Sequence, residues 1–422
     1  MTSRERVVAA LRHQETDRVP VDLGGMRSTG TTAIAYNRLK AHLALPRPGD
    51  GWPLHHTRVY DVIQQLAEPD IEILDRFGAD VVDLSRAFLT EPGQWRPWTL
   101  PDGSPAVIPP WFDPEPDGAG GWVVRDGEGG VMGAMPAGVQ YVTQRCHPLR
   151  EASSAADFAD LGPARAKVTW FALPCAPWHL SLDSPEGFDE IRGRARALHG
   201  SCDRAIMAAL GGNILEAGQF LCGMDRFLMM LAEDEPLACA LMDRLVEDYL
   251  KVIPRFFEAV GDSVQVVQMG DDLGTQTASQ ISPAMYRRLI KPRHRIVYEA
   301  VHKHFGGFLF LHSCGDISAL IPDLIDVGVD VINPVQTSCP GMQPEVLKRE
   351  FGRDLSFWGG GCDTQTVLRT ASPAEVRRHV RDRVATFAPG GGFVFTQVHN
   401  IMADVPPPNV LAMYEAVAES GN

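Results

Sequence analysis

The second half of the chain reads as a regular alternation of two hydrophobic periods. Short apolar runs of strand character recur at 264–269, 308–312, 329–333, 355–358 and 392–398, and segments at helical spacing lie at 283–305, 317–326, 343–351, 373–387 and 407–419. Strands that are apolar on both faces, joined through helices by short connections, predict a parallel sheet covered by helices. Three earlier stretches extend the series. They are 17–25, running into Gly24-Gly25; 79–85, with Asp83 and Arg86 near its end; and 205–210, running into Gly211-Gly212-Asn213. About eight strands result, which favours a closed (β/α)8 TIM barrel over an open sheet.

The remaining pattern is less regular. Thr2-Ser3-Arg4-Glu5 matches a capping box with Val7, Val8 and Leu11 at helical spacing behind it, predicting a helix over 3–13. Further helices are predicted at 58–67, 70–77, 151–160, 184–199 and 224–259, the last broken at Pro236. Between about 90 and 150 Pro, Gly, Trp and Asp dominate, and 122–131 places an Asp-Gly turn between short β runs, as in a hairpin. This β-hairpin-rich segment reads as an insertion packed over one end of a single barrel domain spanning 1–422. A lid or a homodimer contact are its expected roles.

Composition narrows the class. The chain has 422 residues, 45% hydrophobic and 22% charged, which is ordinary for a globular protein with a sizeable core. A net charge of −14 disfavours nonspecific binding to nucleic acid or to an anionic membrane. No apolar run approaches the roughly 18 residues of a membrane span, and Met1-Thr-Ser-Arg-Glu-Arg6 has no apolar stretch behind its charges. The eight cysteines show no CxxC pair and no tight spacing, so they read as reduced thiols of a cytoplasmic protein.

The candidate chemistry gathers at the strand ends. In His312-Ser313-Cys314 the two outer residues share one face of an extended chain, which makes them a chelating pair of the kind Zn²⁺ prefers. Asp271-Asp272, Asn333-Pro-Val-Gln336, Cys362-Asp-Thr-Gln365 and His399-Asn400 also follow apolar runs, and in a barrel all such ends share one mouth. Glu216 and Gln219 lie just beyond Gly211-Gly212-Asn213, and Arg27, Ser28 and Thr29 follow the first glycine turn. Catalytic work is therefore expected from Asp271, Asp272 and Glu216. Substrate contacts are expected from Arg27, Asn333, Gln336 and Asn400.

Asp17-Arg-Val-Pro20, Gly270-Asp-Asp-Leu-Gly274 with Ile281-Ser-Pro283, His312-Ser-Cys-Gly315, Gly359-Gly-Gly-Cys-Asp-Thr364, and Val398-His-Asn-Ile401 before Pro406-Pro-Pro408 together resemble the uroporphyrinogen decarboxylase superfamily. That group holds the decarboxylases of haem synthesis and zinc-dependent methyltransferases that work with corrinoid proteins, both on (β/α)8 barrels. The decarboxylases carry Met-Arg-Gln-Ala-Gly-Arg, whereas Met26-Arg27-Ser28-Thr29-Gly30-Thr31 keeps one arginine and loses the other. The methyltransferases carry His-x-Cys-Gly and use both residues on zinc, which the resemblance carries to His312 and Cys314. Their third ligand is a cysteine after the last strand, where this chain has His399; Cys362 is the rival. The resemblance thus implies a zinc-dependent methyltransferase moving a methyl group between a methylcorrinoid (cobalamin) on a partner protein and a small thiol, methoxy or amine compound. A metal-independent decarboxylase acting on a small carboxylated substrate is the alternative, and a non-catalytic tetrapyrrole-binding protein a third.

Overall fold

The computed structural model describes residues 1–45, 56–180 and 184–420. Seven parallel strands lie side by side in chain order: β1 (Val81–Asp83), β2 (Ala205–Gly211), β3 (Val266–Gly270), β4 (Phe308–His312), β5 (Val331–Asn333), β6 (Ser356–Trp358) and β7 (Phe393–Val394). Residues 20–22 join the two edges of this sheet. On one side Phe395 N donates to Pro20 O and Asp22 N to Phe395 O, each at 2.8 Å; on the other Asp80 N donates to Val21 O at 2.7 Å. A short eighth stave thereby closes the barrel. The sequence predicts a longer strand over 17–25, but only Val21 forms a bridge in the β sense.

That stave is held by charge. The Asp80 carboxylate, fully buried, accepts Arg6 Nη1 at 2.6 Å, Arg18 Nη1 at 2.7 Å and the Val21 amide at 2.9 Å. Asp17 takes the Arg6 Nε at 2.6 Å. The Asp17-Arg-Val-Pro20 motif is therefore half of a clamp.

Strand alternation divides the barrel interior into a floor and a cavity. Val81, Met207, Val266, Phe310, Val331, Trp358 and Val394 pack in one buried cluster to which every strand contributes, joined by Val7 and Leu11 of the N-terminal helix Ser3–Leu11. The helix plugs the N-terminal end. Two residues further along β3 and β4, the same faces present Gln268 and His312. The floor is apolar; the layer above it is where polar groups begin.

Outside the strands, the long helical stretch divides into Met224–Glu233 and Glu235–Val260, with Pro236 in the first turn of the second helix and the Asp234 side chain capping Leu237 N. The 283–305 segment is one turn of α-helix, a π-helical Tyr286–Ile290, and the helix Lys291–His304. Two expectations fail. Residues 58–67 form a small antiparallel pair, Val59–Asp61 with Leu66–Ala67, turned by Gln65 at φ 54°. Of 151–160, only a single turn at Ala155–Phe158 is helical, in 3-10 form. Residues 96–144 build two small antiparallel sheets, and the 122–131 hairpin pairs Trp122 with Met135 and Val123 with Ala134. Their apolar faces pack on Val59, Ile63 and Ala403, which puts them beside the barrel mouth. Among the described residues no helix is long and apolar enough to cross a membrane.

Candidate metal centre

β4 delivers the central pair. Phe310 faces the floor, so His312 and Cys314 follow on the same inward face, and the Cys314 Sγ lies 3.4 Å from His312 Nε2. Asn333 at the end of β5 accepts from His312 Nδ1 at 2.7 Å while its own amide donates to Trp358 O at 2.8 Å. With the amide oriented that way, the imidazole proton sits on Nδ1 and the Nε2 lone pair is left for the cavity. His399, beyond β7, brings its ring centroid to 5.7 Å from that of His312. One ligand atom from each of His312, Cys314 and His399 lies within 4.8 Å of the others.

The loop that carries Cys314 is fixed from both neighbours. Asp272 Oδ1 accepts the Cys314 amide at 2.7 Å, Gln336 Oε1 accepts the Gly315 amide at 2.8 Å, and the Ser313 hydroxyl accepts Leu273 N at 3.0 Å. Gly315 is at φ 89°, and a Cβ there would lie 2.5 Å from the Gly274 carbonyl carbon. Each residue of His-Ser-Cys-Gly thus has a separate task.

A cavity of about 520 Å³ opens above the floor, and His312, Cys314, His399, Asp272, Glu216 and Arg27 line it. Burial, then the charges of Asp272 and Asp271, push the Glu216 carboxyl well above the usual range; its Oε2 accepts Asn213 Nδ2 at 2.6 Å. Burial, then Asp272 and Glu216, likewise push the Cys314 thiol up, while burial and the neighbouring His312 bring His399 down to about 4. A neutral imidazole is a ligand; a thiol this disfavoured as an anion needs a cation beside it.

Several expected site residues lie elsewhere. Asp271, adjacent to Asp272, points the opposite way: it is fully buried and accepts Leu215 N, Glu216 N and His294 Nε2 at 2.9, 2.8 and 3.0 Å, capping the helix Leu215–Cys222. Asp271 therefore positions Glu216 and does not reach the cavity. Asn333 orients His312, and Gln336 supports the Cys314 loop. Asn400, buried, accepts Gly30 N at 2.8 Å and donates to Gln64 Oε1 at 2.9 Å, so it braces the mouth. Cys362 is fully buried outside the ligand group, with burial raising its thiol pKa, and its neighbourhood is a bridge to Gln397. Arg27 lines the cavity with its Nε on Asp61 Oδ2 at 2.9 Å and its guanidinium 5.2 Å from the centre of the Trp170 ring. Gln268, Arg165, Trp170, Trp178 and Tyr249 also line it and have no place in the sequence reading. Only Gln268 left a trace there, as a polar residue inside the apolar run of β3.

Two imidazole nitrogens and one thiol sulfur are a donor set that suits zinc with one position open. Tetrahedral coordination at the usual bond lengths separates ligand atoms by roughly 3.3–3.8 Å. The His312–Cys314 separation is already in that range, and among the described residues the His399 ring makes no hydrogen bond that would hold it back. The residues fit the ion. Replacing Asn333 with leucine is expected to free the His312 ring and lower zinc affinity by roughly 10- to 100-fold, measured by competition with a chromogenic chelator. An unchanged affinity would remove Asn333 from the site.

The fold and these side chains define a closed parallel barrel with a two-imidazole, one-thiol ligand set at its C-terminal mouth. Residues 204–420, a little more than half of the chain, match the family model described as uroporphyrinogen decarboxylase (URO-D), and the protein belongs to that family. A uroporphyrinogen decarboxylase from Magnetococcus marinus is 28% identical over 113 residues, which is 27% of this chain and 29% of the relative, so the match spans less than a third of that protein. A methyltransferase from Methanosarcina mazei superposes with a TM-score of 0.55 at 17% identity, over 99% of both chains, and shares the fold.

Proposed function

We propose that the protein is a zinc-dependent methyltransferase that moves a methyl group between a corrinoid (cobalamin) on a partner protein and a small thiol, methoxy or amine substrate. The observation that carries this reading is the convergence of His312, Cys314 and His399 on one point of a cavity large enough for a small organic molecule. Zinc bound there supplies the Lewis acidity that keeps a substrate thiol ionised at neutral pH, or polarises the heteroatom of a methyl donor. The chain's own residues do the rest. Asn333 holds His312 in its ligating tautomer, and Asp272 fixes the Cys314 backbone. Glu216, which lines the cavity and whose carboxyl burial and Asp272 push toward the protonated form, is the proton donor in this reading for a leaving amine or alkoxide. Trp170 stacks on Phe220 at 5.7 Å, and together they wall off water from one side.

A metal-independent lyase acting on a small carboxylated substrate is the second reading, supported by family membership and by Arg27 at the cavity wall. One experiment separates them. Purified protein, stripped with chelator and reloaded with zinc, is mixed with methylcobalamin and a simple thiol, and loss of the methylcobalamin spectrum is followed. Zinc-dependent demethylation is the expected result. The methyl-transfer reading fails if the reloaded protein leaves methylcobalamin intact with thiol and also fails to methylate reduced cobalamin from methoxy or methylamine donors.

A further inference from the structure

The lining of the cavity is acidic. Asp83, Glu216, Asp248 and Asp272 line it together with Arg27 and Arg165. Both arginines are already neutralised, Arg165 Nη1 by Asp248 Oδ2 at 2.9 Å and Arg27 Nε by Asp61 Oδ2 at 2.9 Å. Asp83, Glu216 and Asp272 remain. Their hydrogen bonds come from uncharged groups: Ser85 N to Asp83 at 2.6 Å, Asn213 Nδ2 to Glu216 at 2.6 Å and Cys314 N to Asp272 at 2.7 Å. The three follow β1, β2 and β3, successive strands, so the acid forms one continuous arc of the cavity.

A bound zinc ion does not account for the whole arc. Held by one thiolate and two neutral imidazoles it carries a single net positive charge, and Asp272, whose Oδ1 lies 3.9 Å from His312 Nε2, is the carboxylate beside it. Asp83 ends β1, three strands along the sheet from β4 and its His312. Burial raises the Asp83 carboxyl to about 6, against the hydrogen bonds of Ser85, which leaves it mostly ionised at neutral pH. The wall next to it is aromatic. β2 pairs with β1 so that Met207 lies opposite Asp83, and Ala209, two residues further toward the mouth, accepts Trp178 Nε1 at 2.7 Å. That bond fixes the Trp178 ring at the Asp83 end of the cavity, where Phe256 backs it at 5.2 Å. Rings of this lining already take cations: the Arg27 guanidinium lies 5.2 Å from the Trp170 centre and that of Arg165 5.7 Å from Phe171. A carboxylate beside an aromatic wall suits a cation clothed in alkyl groups, which gains from charge and from ring contact together.

We propose that the small molecule taken by this cavity is a methylated ammonium compound, its cationic head received by the Asp83 carboxylate and the Trp178 ring. This narrows the substrate of the methyl-transfer reading and rests on it only for what happens after binding. Asp83 and Trp178 are binding residues in this assignment, remote in role from the metal ligands.

The test is equilibrium binding by calorimetry and tryptophan fluorescence on the protein as purified, with choline and its uncharged isostere 3,3-dimethyl-1-butanol as probes. The two differ in one atom, nitrogen against carbon, so the comparison isolates the charge. The wild type is expected to bind choline about tenfold more tightly than the alcohol, or better. In Asp83→Asn most of that preference should vanish while alcohol binding is unchanged, which shows that the cavity is still folded; Asp83→Glu should keep part of it. Trp178→Leu, which keeps an apolar wall and removes the ring, should weaken choline more than the alcohol. The proposal is overturned if neither probe binds at millimolar concentration, if both bind equally, or if the alcohol binds better. It is also overturned if the preference survives Asp83→Asn. Because binding needs neither corrinoid nor turnover, the two readings fail separately: cation preference without methyl transfer sinks the reaction alone, and methyl transfer without cation preference sinks this assignment alone.

Discussion

Replacing Cys314 with alanine is expected to take zinc from about one per chain to near zero and to abolish methyl transfer, while the protein stays folded. The side chain lines an open cavity and supplies the single thiol of the ligand group, and its removal leaves two imidazoles, which hold zinc weakly. Its backbone contacts, to Asp272 and Gly274, survive the change. Cys362→Ala is the informative partner. That thiol is fully buried in apolar packing and apart from the ligand group, so its loss should leave zinc content intact and lower stability by about 1 kcal/mol. Elemental analysis of both variants decides the matter; zinc lost with Cys362 and retained without Cys314 would reverse the ligand assignment.

The largest effect on stability is expected at Asp80. Alanine there strands the Arg6 and Arg18 guanidinium groups and the Val21 amide around a buried gap, and removal of one partner from a buried ion pair typically costs about 3–5 kcal/mol. The loss falls where residues 20–22 close the barrel between β7 and β1, so denaturant unfolding should register it as a shift in midpoint. Asp17→Ala, whose carboxylate is 46% exposed, removes a rim contact of the same clamp and should cost under about 1 kcal/mol. Equal effects from the two variants would mean that the clamp acts through surface charge and not through barrel closure.

How much of this was legible beforehand depends on whether the information is local. The strands from Val266 onward announce themselves because each is apolar on both faces and is followed by a helix of ordinary length. Residues 58–67 do not, because Val59, Val62, Ile63 and Leu66 fall at i, i+3, i+4 and i+7, the spacing of a helix, although the chain turns back at Gln65. His312 and Cys314 stand two apart on one strand, so period two alone puts them together. The same arithmetic was available for Asp271 and Asp272: Gln268, Gly270 and Asp272 share the inner face, which sends Asp271 outward to cap a helix. Asn333 was readable as a polar strand end, but its bond to His312 comes from the lateral register of β4 on β5, which pairs His312 with Asn333 and which no single strand contains. Arg165 and Trp170 come from a segment with no periodic signature and reach the cavity only through tertiary packing.

The plugged floor has a kinetic meaning. With Val7 and Leu11 seated under the β-strands, the chamber is closed at its N-terminal end, and among the described residues the three ligands are approached from the doorway at the mouth. On the proposed reaction that doorway serves two visitors of very unequal size. If a corrinoid partner docks over that mouth as proposed, the small molecule is expected to enter before it and the product to leave after it, an ordered sequence that initial-rate kinetics would reveal.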